Sequence, residues 1–244
     1  MTRVRIPLVS DAPIVLATLV SRPTQLVIEA RIDHQVVLAH LADRGSLDAW
    51  LVPGAPLLLA VRTAIGQKKV FHVAGVYVGD ELIALDTLLP QRLIAAALDT
   101  EALPQFARYT KIQPQVTVRM HRFDFRLGVG LATCLLNVHP VRQVIDGIAQ
   151  FPDTLAPQVV EQFDVLSELV CYGQRAAVIF VVLRDTAQAL VPNEPVDCLF
   201  ARAFRRAIAS GVEIYAYCCP LAPEGMHLGG SLPVYGSLES VPVQ

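Results

Sequence analysis

The stretch that decides the fold lies in the C-terminal half: R-A-A-V-I-F-V-V-L at 175–183, then D-C-L-F-A-R-A-F-R-R-A-I-A-S-G at 197–211 and V-E-I-Y-A-Y-C-C at 212–219. The first run is apolar at almost every position and rich in β-branched residues, as a strand buried on both faces must be. Asp197 is placed to cap a helix over 198–210, and Gly211 supplies the left-handed stop after it. The third run returns to strand. Strand, helix and strand in that order predict an α/β layer with parallel pairing near the end of the chain.

Working outward, the same alternation extends upstream. A helix is expected near 158–171, two strands near 115–128 and 133–139, and a helix over 87–98, with Thr87 as N-cap and Pro90 in the first turn. Before Asp86 the pattern changes. Short strands at 14–20, 26–31, 36–41, 56–62, 69–78 and 82–85 are separated by turn signals. Asp33-His34 and Gly79-Asp80 each suit a two-residue hairpin. Gly45-Ser46 opens a helical turn over 46–51 that Pro53-Gly54 stops. Five or six short strands with one small helix predict a compact β-barrel over 1–86, followed by an α/β domain over 87–244.

The chain has 244 residues, 53% of them hydrophobic, with a formal net charge of −2. Overall charge therefore neither favours nor excludes a nucleic-acid partner. Its distribution is uneven. Arg108, Lys111, Arg119, Arg122 and Arg126 face a single acid, Asp124, within 108–126, whereas 143–174 holds five acids and no Lys or Arg. The five cysteines are odd in number and form no CxxC, and the adjacent Cys218 and Cys219 would point to opposite faces of a strand. Reduced thiols and a cytoplasmic location are expected. No long apolar run follows Arg3 and Arg5, so no signal peptide is expected. The longest apolar run, 176–183, is far short of the roughly 20 residues that cross a bilayer, so no membrane partner is expected either. A mean hydropathy of +0.47 leaves room for a buried subunit interface in a homo-oligomer.

The chemistry concentrates on two strands. In R-F-D-F-R at 122–126, alternation puts Phe123 and Phe125 on one face and Arg122, Asp124 and Arg126 on the other. In L-L-N-V-H at 135–139, Asn137 and His139 share a face. If the strands pair, Asp124, Asn137 and His139 converge. This arrangement resembles the D…ExK layout of a large nuclease superfamily, in which carboxylates hold Mg²⁺ and a lysine assists the attacking water.

A wider resemblance covers nearly the whole chain. G-Q-R-A-A-V-I-F-V-V-L-R-D from Gly173, V-P-N-E-P-V-D at 191–197, G-V-E-I-Y-A-Y at 211–217, P-E-G-M at 223–226 and S-L-P-V at 231–234 look like the C-terminal part of the sugar fermentation stimulation protein family. A-H-L-A-D-R-G-S-L at 39–47, V-P-G-A at 52–55, D-T-L-L-P-Q-R-L at 86–93, R-F-D-F at 122–125 and F-P-D at 151–153 are similar to its upstream motifs, in the same order. The resemblance implies an N-terminal OB-like β-barrel followed by a restriction-endonuclease-like α/β domain of the D…ExK type. It further implies DNA binding, proposed nuclease activity and a regulatory link to sugar use.

The departures from the family pattern fall on the metal site. The family's E-V-K is Asn137-Val138-His139 here, T-E-R-G after F-P-D is Ala156-Pro157-Gln158-Val159, and the helix acid falls near Ala96. The basic R-x-x-R-F is Arg22-Pro23-Thr24-Gln25-Leu26, and a turn arginine is Ser46. Only Asp124 survives as a metal ligand, and no bound cofactor is expected, with Mg²⁺ or Mn²⁺ implied only if the nuclease reading holds. The expectation is a DNA-binding protein of impaired or absent catalysis. Its contacts would be Arg119, Arg122 and Arg126 in the second domain and Arg22, Lys68 and Lys69 in the first, giving weak, salt-dependent binding. The alternatives are a metal-dependent DNA or RNA nuclease using Asp124, and a non-catalytic protein-interaction or regulatory subunit. His40 and His72 are read as structural, and Gly225, Gly229 and Gly230 do not have phosphate-loop spacing.

Overall fold

The structure is a computed structural model that describes residues 4–9, 12–42, 47–63 and 69–242. The chain divides into two compact units, one of residues 5–89 with 221–226 and the other of 90–220 with the remaining terminal residues. The division falls between Leu89 and Pro90, and 221–226 returns to the first unit.

The first unit holds β1 (Arg5–Ile6), β2 (Ile14–Thr24), β3 (Val27–Ile32), β4 (Gln35–His40), β5 (Pro56–Thr63), β6 (Lys69–Val78) and β7 (Glu81–Ala84). Strands β6, β4, β3, β2 and β5 neighbour one another in that order, and a β5–β6 pairing closes the ring. The β4–β6 seam is parallel and the other four are antiparallel, which makes the barrel OB-like. Inward residues alternate along β3, where Ile28 and Ala30 are buried, and they pack with Leu19, Leu57, Leu59 and Val76. Both expected hairpins form. Ile32 pairs with Gln35 around Asp33 at φ 51°, and Val78 pairs with Glu81 around Gly79 at φ 60°. The expected opening of a helical turn at Gly45-Ser46 lies outside the described residues. The described part, 47–51, closes one turn through Leu51 N–H to the Leu47 carbonyl.

The second unit runs α1 (Leu89–Asp99), β8 (Lys111–Val118), β9 (His121–Val129), β10 (Ala132–Val141), β11 (Gln143–Ile145), β12 (Ile148–Phe151), α2 (Pro157–Cys171), β13 (Arg175–Val182), β14 (Ala189–Pro192), α3 (Cys198–Ser210) and β15 (Glu213–Cys218). Then β16 (Leu221–Ala222) pairs with β7 of the barrel, β17 (Gly225–His227) pairs with β16, and β18 (Ser231–Leu232) pairs with β15. The main sheet of this unit is ordered β18-β15-β13-β10-β9-β8 and shares no strand with the barrel sheet. β10, β13 and β15 are parallel, as the crossover at 175–219 requires. β13 is buried along nearly its whole length. Phe163 from α2, Phe180 from β13 and Phe200 and Phe204 from α3 fill the core beneath it. The expected helix signals act as read: the Asp197 carboxylate accepts the Phe200 N–H at 2.9 Å, and Gly211 sits at φ 95°.

Two local expectations are corrected. The single strand expected over 115–128 is the hairpin β8–β9, turned by Arg119 at φ 49° and Met120 at φ 71°. Neither is a usual turn residue, so the break carried no Gly or Asn signal. The helix expected from Thr87 starts at Leu89. Asp86 opens it, its carboxylate accepting the Leu88 N–H and its carbonyl the Leu89 N–H. All five cysteines are free thiols.

One polar cluster pins the 104–109 segment to the sheet. The Arg175 guanidinium donates to both Glu213 carboxylate oxygens at 2.6 and 2.7 Å and to the Gln105 carbonyl at 2.8 Å, and it lies over the Phe106 and Tyr109 rings. The bidentate bond and the ring contacts require a planar cation. Arg175→Ala is expected to lower stability by about 2 kcal/mol, and Arg175→Lys to recover less than half of that. Urea unfolding of the three proteins checks this, and an unchanged midpoint in Arg175→Ala would refute it.

Candidate functional site

The site forms where two strands part. β9 and β10 pair as a regular antiparallel ladder as far as Phe125 opposite Leu136. Beyond that point side chains replace the backbone rungs. The Asp124 N–H donates to Asn137 Oδ1 at 3.3 Å, and the Val138 N–H donates to Asp124 Oδ2 at 2.7 Å. β10 meanwhile stays paired with β13, with Asn137 opposite Val178 and His139 opposite Phe180. Asn137 is thereby held from both sides. Its Nδ2 donates to Gln162 Oε1 of α2 at 2.9 Å, and Gln162 Nε2 donates to the Arg122 carbonyl at 2.7 Å.

The three residues expected to converge line one cavity of about 520 Å³, together with Arg122 and carboxamides from α1, β8 and α2. Their surroundings set their charge. Burial pushes the Asp124 carboxyl up to about 6, against the opposing effect of the Val138 N–H and the Gln91 side chain. His139 is buried against the rings of Phe151 at 5.3 Å, Phe180 at 5.7 Å and Phe163 at 6.4 Å. Burial lowers its imidazole to about 4, so the ring is neutral near pH 7. Asp124 and Arg122 are the charged residues in the lining, and their formal charges cancel.

This donor set does not fit a hard divalent cation. Mg²⁺ asks for oxygen ligands carrying negative charge in octahedral geometry. The cavity offers one carboxylate, with one oxygen already bonded to Val138 and a proton affinity raised by burial. Asn137 Oδ1 is occupied by the Asp124 N–H, and the His139 ring is packed among phenylalanines. Among the described residues no three His, Cys, Asp or Glu side chains cluster as a metal site.

The remaining residues singled out in the sequence are placed as follows. Arg122 and Arg126 are exposed on β9, and Arg122 reaches the cavity. Arg119, in the β8–β9 turn, is ion-paired with Glu168 of α2. His121 lies 3.7 Å from Glu161, so the acidic 143–174 stretch folds back on the basic strip. Arg22 is largely covered and bonded to Asp48 at 2.8 Å and to the Gln25 carbonyl. Lys69 is exposed at the start of β6, and Lys68 lies outside the described residues. The helix residue bonded to Asp124 is Gln91, not the Ala96 position expected for the family's acid. His40 and His72 face each other across β4 and β6 with ring centroids 5.5 Å apart. Burial, then Arg62 and His40, lower the His72 pKa, against Asp86.

Gln162 escaped the sequence reading, and Gln158 entered it only as a departure from the family's T-E-R-G. Gln158 and Gln162, four residues apart, share a face of α2 and both line the cavity. That spacing was the available signal, and no charge drew attention to it.

Comparison with known proteins decides the family. A family model described as "Sugar fermentation stimulation protein RE domain" matches residues 88–225. The chain belongs to the sugar fermentation stimulation protein family. It is similar to the sugar fermentation stimulation protein homolog of Chloroflexus aurantiacus, 49% identical over 241 residues that cover 99% of this chain and 93% of the relative. The homolog of Moorella thermoacetica is 37% identical over 214 residues, covering 87% of this chain and 92% of that one. Among solved structures, Pyrococcus furiosus SfsA in complex with Ca²⁺ superposes with a TM-score of 0.82 at 20% identity, covering 94% of this chain and 99% of that one. That likeness supports the same two-part fold, barrel and α/β sheet. Among the described residues, no helix is long and apolar enough to cross a membrane.

Proposed function

We propose that this family member binds DNA and does not cleave it. The observation that carries the reading is the lining of the β9–β10 cavity, in which one carboxylate stands among neutral amides while Arg122 and Arg126 are exposed on the strand beside it. Phosphodiester hydrolysis in a D…ExK-type site draws on a cation held by negative charge. Asn137 and His139 supply none, and the Ca²⁺ of the Pyrococcus furiosus structure is not carried over to this donor set. Arginines on an exposed strand remain suited to phosphate contacts, and an OB-like barrel is a frequent carrier of oligonucleotide sites. Arg119 contributes less than Arg122 and Arg126, because Glu168 already neutralises it.

Fluorescence anisotropy of labelled duplex DNA across a salt series tests the reading. Log affinity is expected to fall linearly with log salt, by roughly 0.9 per phosphate contact. Arg122→Ala and Arg126→Ala should each reduce the slope by about one contact. The same duplex incubated with Mg²⁺ or Mn²⁺ should stay intact. Undetectable or salt-insensitive binding would favour a protein-interaction role. Cleavage that Asp124→Ala abolishes would make the chain a working nuclease.

A further inference from the structure

Five carboxamides meet at the cavity from four elements: Gln91 of α1, Gln115 of β8, Asn137 of β10, and Gln158 and Gln162 of α2. Asn137 and Gln162 are spent on each other and on the backbone. The others are not. Gln91 Oε1 is buried in the wall with no hydrogen-bond donor. Gln115 and Gln158 are exposed at the mouth. Asp124 accepts from the Val138 N–H and from the Gln91 side chain. The cavity therefore presents two flat donor–acceptor pairs, Gln115 and Gln158, on walls whose formal charge cancels.

That inventory does not suit a metal ion or an inner phosphate, which would meet the Asp124 carboxylate. It suits the edge of a nucleobase. Asn and Gln side chains pair bidentately with adenine, each amide giving one donor and one acceptor in one plane. An exocyclic amine carries two N–H donors, which answers the carboxamide oxygens of Gln115 and Gln158. A volume of about 520 Å³ is within the range of small-molecule sites. A base within a duplex cannot enter such a cavity without leaving its stack.

We propose that the cavity takes one unpaired nucleobase bearing an exocyclic amine, adenine foremost, with its hydrogen-bonding edge on the carboxamides and its sugar–phosphate toward Arg122. The proposal rests on the DNA-binding reading of the same site and names what that site recognises. Uncharged nucleosides separate the two. Adenosine and inosine differ in the exocyclic amine, and neither carries a phosphate. Titrated by calorimetry or ¹⁵N–¹H NMR, adenosine should bind at least about tenfold tighter than inosine, the ratio one good bidentate pair supplies. Gln115→Ala and Gln158→Ala, at exposed positions that leave the core intact, should remove most of that ratio. A single-stranded oligonucleotide with one adenine should lose a similar factor when that nucleotide is made abasic. If adenosine and inosine bind alike or not at all while salt-dependent duplex binding persists, the DNA reading stands and the base-pocket proposal is overturned. If adenosine is preferred but no oligonucleotide binds at low salt, the pocket is upheld as a site for the free nucleoside and the DNA reading falls.

Discussion

Placing lysine at position 139 is expected to destabilise the second unit rather than to restore a nuclease. The double change Asn137→Glu, His139→Lys is the obvious repair, because it rewrites Asn-Val-His as the family's E-V-K. The structure argues against its success. His139 is packed against Phe151, Phe163 and Phe180, in a setting that already drives the imidazole to its neutral form. An ammonium there would give up its hydration without a partner carboxylate in the ring cage, and a buried lysine without one loses its proton or unfolds the site. The expected cost of His139→Lys is about 3–5 kcal/mol. For a chain of this size that corresponds to a fall in Tm of roughly 6–20 °C. Asn137→Glu adds a carboxylate next to Asp124 and disturbs the acceptor that holds the Asp124 N–H. Thermal melts of the two single variants and the double variant, with and without Mn²⁺, check this. A double variant as stable as the natural chain, cleaving duplex DNA in Mg²⁺, would show that the pocket is a site one step from activity.

The same cage marks the limit of what the sequence made readable. Alternation in 122–126 and 135–139 was enough to bring Asp124, Asn137 and His139 together, because register on paired strands follows from parity. It gave no account of what lies behind them. Phe151, Phe163 and Phe180 come from β12, α2 and β13, and only the packed fold brings them to residue 139. The charge map shows the same limit. The uneven charge distribution along the chain does not say which charges meet, and Arg119 and Glu168 do so across 49 residues. Elements announced by strong local chemistry were read correctly, as at Asp197 and Gly211 of α3 and at the two barrel hairpins. The return of 221–226 to the barrel rests on pairings of one or two residues, where no periodicity can develop. Gly225 is the one local trace of it: its φ is 141°, and a Cβ there would lie 2.0 Å from the Ile6 carbonyl oxygen, so only glycine lets the strands approach.

Asp124 and His139 are expected to give stability two pH slopes of opposite sign that cancel in the natural chain. Burial raises the Asp124 carboxyl from 3.8 to about 6. Its contribution is fully present below pH 3.8 and is lost as the pH rises through about 6, a change of about 3 kcal/mol at 1.36 kcal/mol per pKa unit. Burial lowers the His139 imidazole from 6.5 to about 4. Its contribution is fully present above pH 6.5 and is lost as the pH falls through about 4, again about 3 kcal/mol. Between about pH 4 and 6 the unfolded chain holds the shared proton on the imidazole and the folded chain holds it on the carboxyl. The proton counts match, so the pair adds little net slope there. Single variants uncover each half. Asp124→Asn keeps an acceptor for the Val138 N–H and removes the carboxyl, so its stability should climb relative to the natural chain by about 1.4 kcal/mol per pH unit across that window. His139→Leu keeps an apolar filling for the ring cage and removes the imidazole, so its stability should fall relative to the natural chain at a similar rate. Urea unfolding in half-unit steps from about pH 4 to 7 measures both differences, and other titrating groups drop out of the comparison. Two variants that run parallel to the natural chain, or that slope the same way, would mean that neither group is held in the protonation state its burial imposes.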